Sequence, residues 1–169
     1  GKALGVFAAA FFAGAVSSLM KKEEDLNLIC VGSPFEKDEI VELKKLQIYA
    51  KTIALRADEK TLNNLYSNAI VFAFPSLYEG FGMPILEAFA NNCPTCISNT
   101  SCFPEIAGDA AAYFDPYSQD SICEAIKKVF YDDNYRLQMI NSGKKRLENF
   151  SWVKTGEETV NSYEKAISA

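Results

Sequence analysis

Short apolar runs alternate with longer amphipathic stretches along this chain, and the runs end at glycine, proline or serine. Leu26-Asn-Leu-Ile-Cys-Val31 is stopped by Gly32-Ser-Pro34, and Ala69-Ile-Val-Phe-Ala-Phe74 by Pro75-Ser76. Runs this short and this apolar predict buried strands, whereas longer segments with apolar residues three or four apart predict helices. Strands are therefore expected over residues 3–9, 26–31, 69–74, 95–97 and 110–114, and within 48–55. Helices are expected over 11–22, 36–46, 84–91, 120–131, 134–149 and 152–167, with a helical turn over 103–107. A further helix runs from Asp58, a natural N-cap, to Tyr66, with Leu62 and Leu65 on its inner face; Ser151 caps the last helix. Alternation of the two element types, completed by three helices at the end, predicts an α/β fold: a three-layer, Rossmann-like parallel sheet with helices on both faces.

Composition narrows the chemistry. The 169 residues are 49% hydrophobic and 23% charged, enough for a full core and ordinary for one domain, expected to span residues 1–169. The net charge of -5 and the lack of a basic stripe argue against nucleic acid as a partner. Lys21-Lys22 and Lys144-Lys145-Arg146 read as solvated helix ends. There is no histidine, which removes Ser-His-Asp and Cys-His nucleophile systems and most catalytic zinc sites. Five scattered cysteines (Cys30, Cys93, Cys96, Cys102, Cys123) suit reduced thiols in a cytoplasmic protein. Cys93-Pro-Thr-Cys96 matches a redox or half-zinc spacing, but no second pair completes it, so it reads as packing at a helix end and in a core strand. The uncharged stretch 3–20 is rich in Ala, Gly and Ser. It reads as a strand and a core helix rather than a membrane span or signal peptide.

The densest chemistry lies in Glu79-Gly-Phe-Gly-Met-Pro-Ile-Leu-Glu87, directly after the apolar run that ends at Phe74. In open α/β sheets ligands bind outside the carboxyl ends of the strands. Gly80 and Gly82 permit close backbone approach, and Pro84 suits a first helical turn. Free amides at a helix start favour an anion. A carboxylate can accept hydrogen bonds from a vicinal diol, so Glu79 and Glu87 around such a turn suit a ligand with both phosphates and hydroxyls, of which a nucleotide-sugar is an example.

The segment Phe74-Pro-Ser-Leu-Tyr-Glu-Gly-Phe-Gly-Met-Pro-Ile-Leu-Glu-Ala-Phe-Ala90 resembles the signature of retaining glycosyltransferases of the GT-B fold, family four, also described as glycosyl transferases group 1. Pro94-Thr-Cys-Ile-Ser98, Pro104-Glu-Ile-Ala-Gly-Asp-Ala-Ala111, Asp115-Pro116 and Phe150-Ser-Trp152 follow in family order, so the likeness runs from about residue 15 to 168. The resemblance implies the C-terminal, donor-binding domain of a two-domain enzyme whose N-terminal acceptor domain is absent from this chain. It implies that Glu79 acts as the catalytic residue, contacting hydroxyls of the donor sugar. Gly80, Phe81, Gly82 and Met83 would offer backbone to sugar and diphosphate, and Glu87 would hold the ribose. Ser76 and Leu86 would form walls, and Gly32 and Ser33 would approach base or phosphate. The sugar would pass, with retention, from a nucleotide-diphosphate donor to a glycan or lipid-linked acceptor, without metal or cofactor. Membrane association at the inner face would rest with the absent half, and the isolated domain would not turn over.

The chain departs from the family in one respect. The family's diphosphate-binding Arg and Lys follow the first strand, and the corresponding residues 8–14 hold neither. Either those cations are lost, or part of that loop is missing from this chain. A non-catalytic nucleotide-sugar binding module is the alternative. An epimerase would show further acid-base residues, and a phosphorylase using pyridoxal phosphate a Schiff-base lysine motif. Of the remaining candidates, Glu105 reads as a surface acid, Trp152 and Tyr163 as core packing of the last helix, and Tyr78 as a half-exposed loop aromatic.

Overall fold

A computed structural model describes the backbone of residues 2–6 and 10–168 and the side chains of 11–168. Among these described residues six strands form one sheet: β1 (Lys2–Val6), β2 (Leu26–Val31), β3 (Thr52–Leu55), β4 (Ala69–Phe74), β5 (Thr95–Ser98) and β6 (Ala112–Phe114). Among the described residues eight α-helices accompany them: α1 (Ala10–Lys22), α2 (Lys37–Lys45), α3 (Glu59–Asn68), α4 (Met83–Ala90), α5 (Phe103–Ala107), α6 (Gln119–Tyr131), α7 (Asp133–Leu147) and α8 (Trp152–Ile167). The strand order is β3-β2-β1-β4-β5-β6, with every pairing parallel. The doubly wound parallel sheet read from the sequence is therefore the observed fold.

The alternation of β4 shows why this sheet must be covered on both sides. Val71 and Ala73 join the core beneath α1 and α6, with Phe12, Val16, Leu19, Ile122 and Ile126. Phe72 and Phe74 point the other way, into the core with Ile85, Phe89, Phe103 and Ile106 from α4 and α5. Successive side chains of a strand leave opposite faces, so an all-apolar strand needs a helical layer on each. Phe72 and Phe103 are almost wholly buried, and each such side chain contributes about 1.5–3 kcal/mol relative to exposure. Residues 10–20 likewise form a core helix, with Phe12, Ala13, Val16, Leu19 and Met20 buried. No helix among the described residues is long and apolar enough to cross a membrane.

The differences from the sequence reading are local, apart from α8. Residues 7–9 of the expected first strand lie outside the described residues. Tyr49–Lys51 forms a 3-10 turn before β3. The last strand starts at Ala112, because Gly108, with φ of 56°, turns the chain into a 3-10 segment through Ala110. Arg146 is not a solvated helix end: its Nε donates to the Ile106 carbonyl at 2.8 Å and its guanidinium also bonds the Glu105 carbonyl. That satisfies carbonyls that the short α5 leaves free. Trp152 and Tyr163 are not core residues, being 80% and 67% exposed, and α8 buries no side chain. Trp152, Val160, Tyr163 and Ile167 repeat every three to eight positions, which gathers them on one helix face. Nothing among the described residues covers that face.

Cys93 and Cys96 both sit in the core, with Cys93 just after α4 and Cys96 in β5, and both are free thiols. Burial pushes the thiols of Cys30 and Cys93 up to about 12 from an ordinary 9.0. Above pH 9 the unfolded chain releases protons that the folded chain still holds, so these thiols favour folding below that value and cease to do so as pH rises toward 12. The urea midpoint is expected to fall between pH 8.5 and 11, and to fall less in a Cys30→Ala/Cys93→Ala double variant. Parallel pH slopes in the two proteins would rule this out.

Candidate functional site

The strand order places the site. From β1 the chain builds outward to β3, then returns to lay β4 on the other side of β1. The carboxyl ends of β1 and β4 therefore flank the switch point at which doubly wound sheets open a crevice. Residues 75–82, the connection from β4 to α4, leave from that edge. Gly32 and Ser33 follow β2 on the same edge, with β1 between them and the β4 loop, and both are exposed. They share the rim of the sheet with the glycine turn but stand one strand away from it.

Each acidic residue of the motif has its own partner. Glu79 is half-buried, and Oε1 accepts a hydrogen bond from Ser76 Oγ at 2.9 Å. Ser76 is thus a direct partner of this carboxylate as well as a wall. Glu87 is also half-buried, and Oε2 accepts from the Tyr66 hydroxyl at 3.2 Å. Burial, followed by the charge of Glu87, holds the Tyr66 phenol well above its ordinary value, so it remains a donor throughout the working pH range. Tyr66 is 3% exposed and comes from α3. The sequence reading placed it only as a helix end. Its position four residues after the inward Leu62 was the available sign that it faces α4.

The turn between the two acids is shaped by Gly82, the N-cap of α4, with φ of 94°. A Cβ there would stand 3.1 Å from Ile85 Cδ1 and 3.2 Å from Phe103 Cε1, whereas one on Gly80 would meet nothing within 4 Å. Gly82 is therefore required by both backbone angle and space, and Gly80 by neither. Pro84 lies in the first turn of α4, where its missing N–H costs no helical bond. No protein acceptor among the described residues takes the amides of Gly80, Phe81, Gly82 or Met83. These amides, at the positive end of the α4 dipole, suit an anion.

Beyond the turn, the outer face of α4 forms one wall of an open groove of about 560 Å³. Phe81, Met83, Leu86, Glu87 and Ala90 line one side, and Leu147, Phe150, Trp152 and Thr155 the other. Phe81 packs edge-to-face on Phe150 at 5.9 Å. The groove is mostly apolar, with Glu87 its one charged side chain among the described residues. Tyr78 is 83% exposed, more than the half-exposed loop aromatic expected, and Glu105 is exposed as expected.

The sequence reading also missed the segment after β5. Thr100, Ser101 and Cys102 each hydrogen-bond backbone of the β4–α4 connection. These are short polar side chains in a turn, a pattern too common in sequence to single out.

Comparison with known proteins assigns the chain to a group. The family described as glycosyl transferases group 1 matches residues 12–146. O-antigen chain mannosyltransferase B of Escherichia coli is 38% identical over 105 residues, covering 62% of this chain and 28% of that protein. The solved C-terminal domain of a glycosyl transferase group 1 family protein from Francisella tularensis superposes with a TM-score of 0.76 at 22% identity, covering 88% of this chain and 85% of that one. A glycosyltransferase from Rickettsia africae superposes at 0.81 with 15% identity, covering 98% of this chain and 48% of that one. The chain spans well under half the length of the curated relatives it matches. The fold is that of one half of a GT-B glycosyltransferase.

The two glycines of the turn should respond differently to substitution. Gly82→Ala is expected to destabilise the fold by about 1–3 kcal/mol, from positive φ and the contact with Ile85 and Phe103. Gly80→Ala should change stability by less than about 0.5 kcal/mol. Urea denaturation of both variants checks this, and equal losses would refute it.

Proposed function

The chain belongs to the glycosyl transferases group 1 family, and we propose that it is the C-terminal, donor-binding half of a retaining enzyme that takes a nucleotide-diphosphate sugar. The observation that carries this is the β4–α4 turn at the switch point of the sheet. There Glu79 is held by Ser76, Glu87 is held by Tyr66, and the amides between them have no protein acceptor among the described residues.

In this reading the ribose diol donates to Glu87, which Tyr66 keeps in place from behind. The amides of residues 80–83 face the diphosphate, where charge grows as the glycosidic bond to the nucleotide breaks. Glu79 accepts from hydroxyls of the sugar, while Leu86 and Ser76 bound the pocket and Gly32 and Ser33 approach base or phosphate. The leaving diphosphate accepts the proton of the incoming hydroxyl on the same face, so the anomeric configuration is kept and no metal or cofactor takes part. Relatives named as mannosyltransferases support a hexosyl, and specifically mannosyl, group. The acceptor, a glycan or lipid-linked glycan, belongs to the other half of the protein. That half is also the partner this reading gives to the exposed stripe of α8, and without it the chain should not turn over. A cytoplasmic setting, with any membrane contact made through the other half, completes the proposal.

A second reading, a non-catalytic nucleotide-sugar binding module, is favoured by one feature. Residues 7–14, 75–82 and 99–102 contain no Lys or Arg to face a diphosphate.

Calorimetric titration with UDP, GDP, ADP and their hexose conjugates tests the donor site. Saturable binding to one nucleotide series is expected, weakened at least tenfold by Glu87→Ala, since hydrogen bonds to a charged group contribute about 1.5–3 kcal/mol each. Binding that is indifferent to both the base and Glu87, or no binding at all by the folded chain, would sink the donor-site reading.

A further inference from the structure

Four side chains at the end of β5 and in the turn after it track the loop that leaves β4, step for step. Ser98 Oγ donates to the Phe74 carbonyl at 3.5 Å, and Thr100 Oγ1 to the Leu77 carbonyl at 3.3 Å. Ser101 Oγ donates to the Glu79 carbonyl at 2.9 Å and accepts from the Glu79 amide at 3.2 Å. Cys102 Sγ donates to the Phe81 carbonyl at 3.1 Å and lies 3.4 Å from the Glu79 carbonyl. One hydroxyl thus holds both backbone groups of Glu79 while Ser76 holds its carboxylate. A loop has no ladder of its own to fix its peptide planes, so these bonds supply what a neighbouring strand would supply.

We propose that Thr100-Ser101-Cys102 is a strap that aims Glu79, with Ser101 and Cys102 as positioning residues for recognition of the donor sugar; this rests on the donor-site reading above. The direction of the bonds matters. The strap draws the carbonyls of Leu77, Glu79 and Phe81 to the β5 side of the loop. A carbonyl that instead swung toward the ligand would set its oxygen against sugar oxygens and phosphate. With the Glu79 peptide held at both its amide and its carbonyl, the side chain leaves the backbone in one direction, and Ser76 then selects its rotamer. Ser101 is not a substitute for Glu79; it acts only through it.

The test compares the folded chain's affinity for the nucleoside diphosphate it prefers with that for the matching hexose conjugate. Glu79→Gln should remove the preference for the conjugate and leave the diphosphate unaffected. Ser101→Gly, which removes the hydroxyl but suits the φ of 56° at this position, should reduce the conjugate's advantage about three- to tenfold and spare the diphosphate. Cys102→Ala should act in the same direction, while Cys102→Ser, which keeps a donor, should match the parent. If Glu79→Gln loses the preference and both strap variants keep it, the strap inference is overturned and the donor-site reading stands. If Glu79→Gln keeps it, or the parent shows none, the role of Glu79 and the inference fall together. A loss of diphosphate and conjugate affinity in equal proportion in the strap variants would mark general loosening and also overturn it.

Discussion

β4 has to bury both of its faces, and the arrangement of the molecule follows from that. An all-apolar strand at the middle of a parallel sheet needs helices above and below, and right-handed crossovers supply them. Phe72 and Phe74 fill the α4–α5 side, and Val71 and Ala73 the α1–α6 side. Because β4 is locked in this way, the loop leaving it starts from a fixed point beside β1. A loop that carries Glu79 and a run of free amides can be accurate only when both its ends are anchored. Here one end is β4 and the other is α4, whose Ile85 and Phe89 are buried in the same core as Phe72.

That core also explains why the site tolerates so little backbone freedom. Gly82 lies under Phe103 and Ile85, so the turn is pressed against the packed layer and does not stand free in solvent. Tyr66, buried at the end of α3, packs edge-on against Phe72 at 5.1 Å and presents its hydroxyl to Glu87. One aromatic cluster therefore sets the strand, the helix start and the orientation of a carboxylate. A buried phenol must find an acceptor, and a carboxylate at the rim is a strong one. The pairing satisfies the tyrosine and holds the acid in place.

The last helix follows a different rule. α8 has the amphipathic spacing of a packed helix and a well-formed N-cap, with Ser151 Oγ accepting from the Lys154 amide. Yet none of its side chains is buried. Local sequence is sufficient to form such a helix, but burial of its apolar face needs a surface that the described residues do not provide. The sequence reading assigned Trp152 and Tyr163 to core packing of the last helix, and both are exposed. Spacing identifies an apolar face; it does not say what covers it.

The sequence by itself determined the element order, the parallel sheet, the place of the glycine turn and the identity of its two acids. Each of these depends on local signals: short apolar runs, glycine and proline at chain reversals, capping residues at helix starts. Tertiary structure alone decided which side chains hold those acids. Tyr66 reaches Glu87 across 21 positions and Ser101 reaches Glu79 across 22, and no local pattern encodes a contact between segments that meet only when the sheet assembles. The same holds for Arg146, which appears in sequence as one cation in a solvated cluster but folds onto carbonyls at the end of α5. Side-chain partners across a sheet depend on register and layer packing, and both are set by the core as a whole.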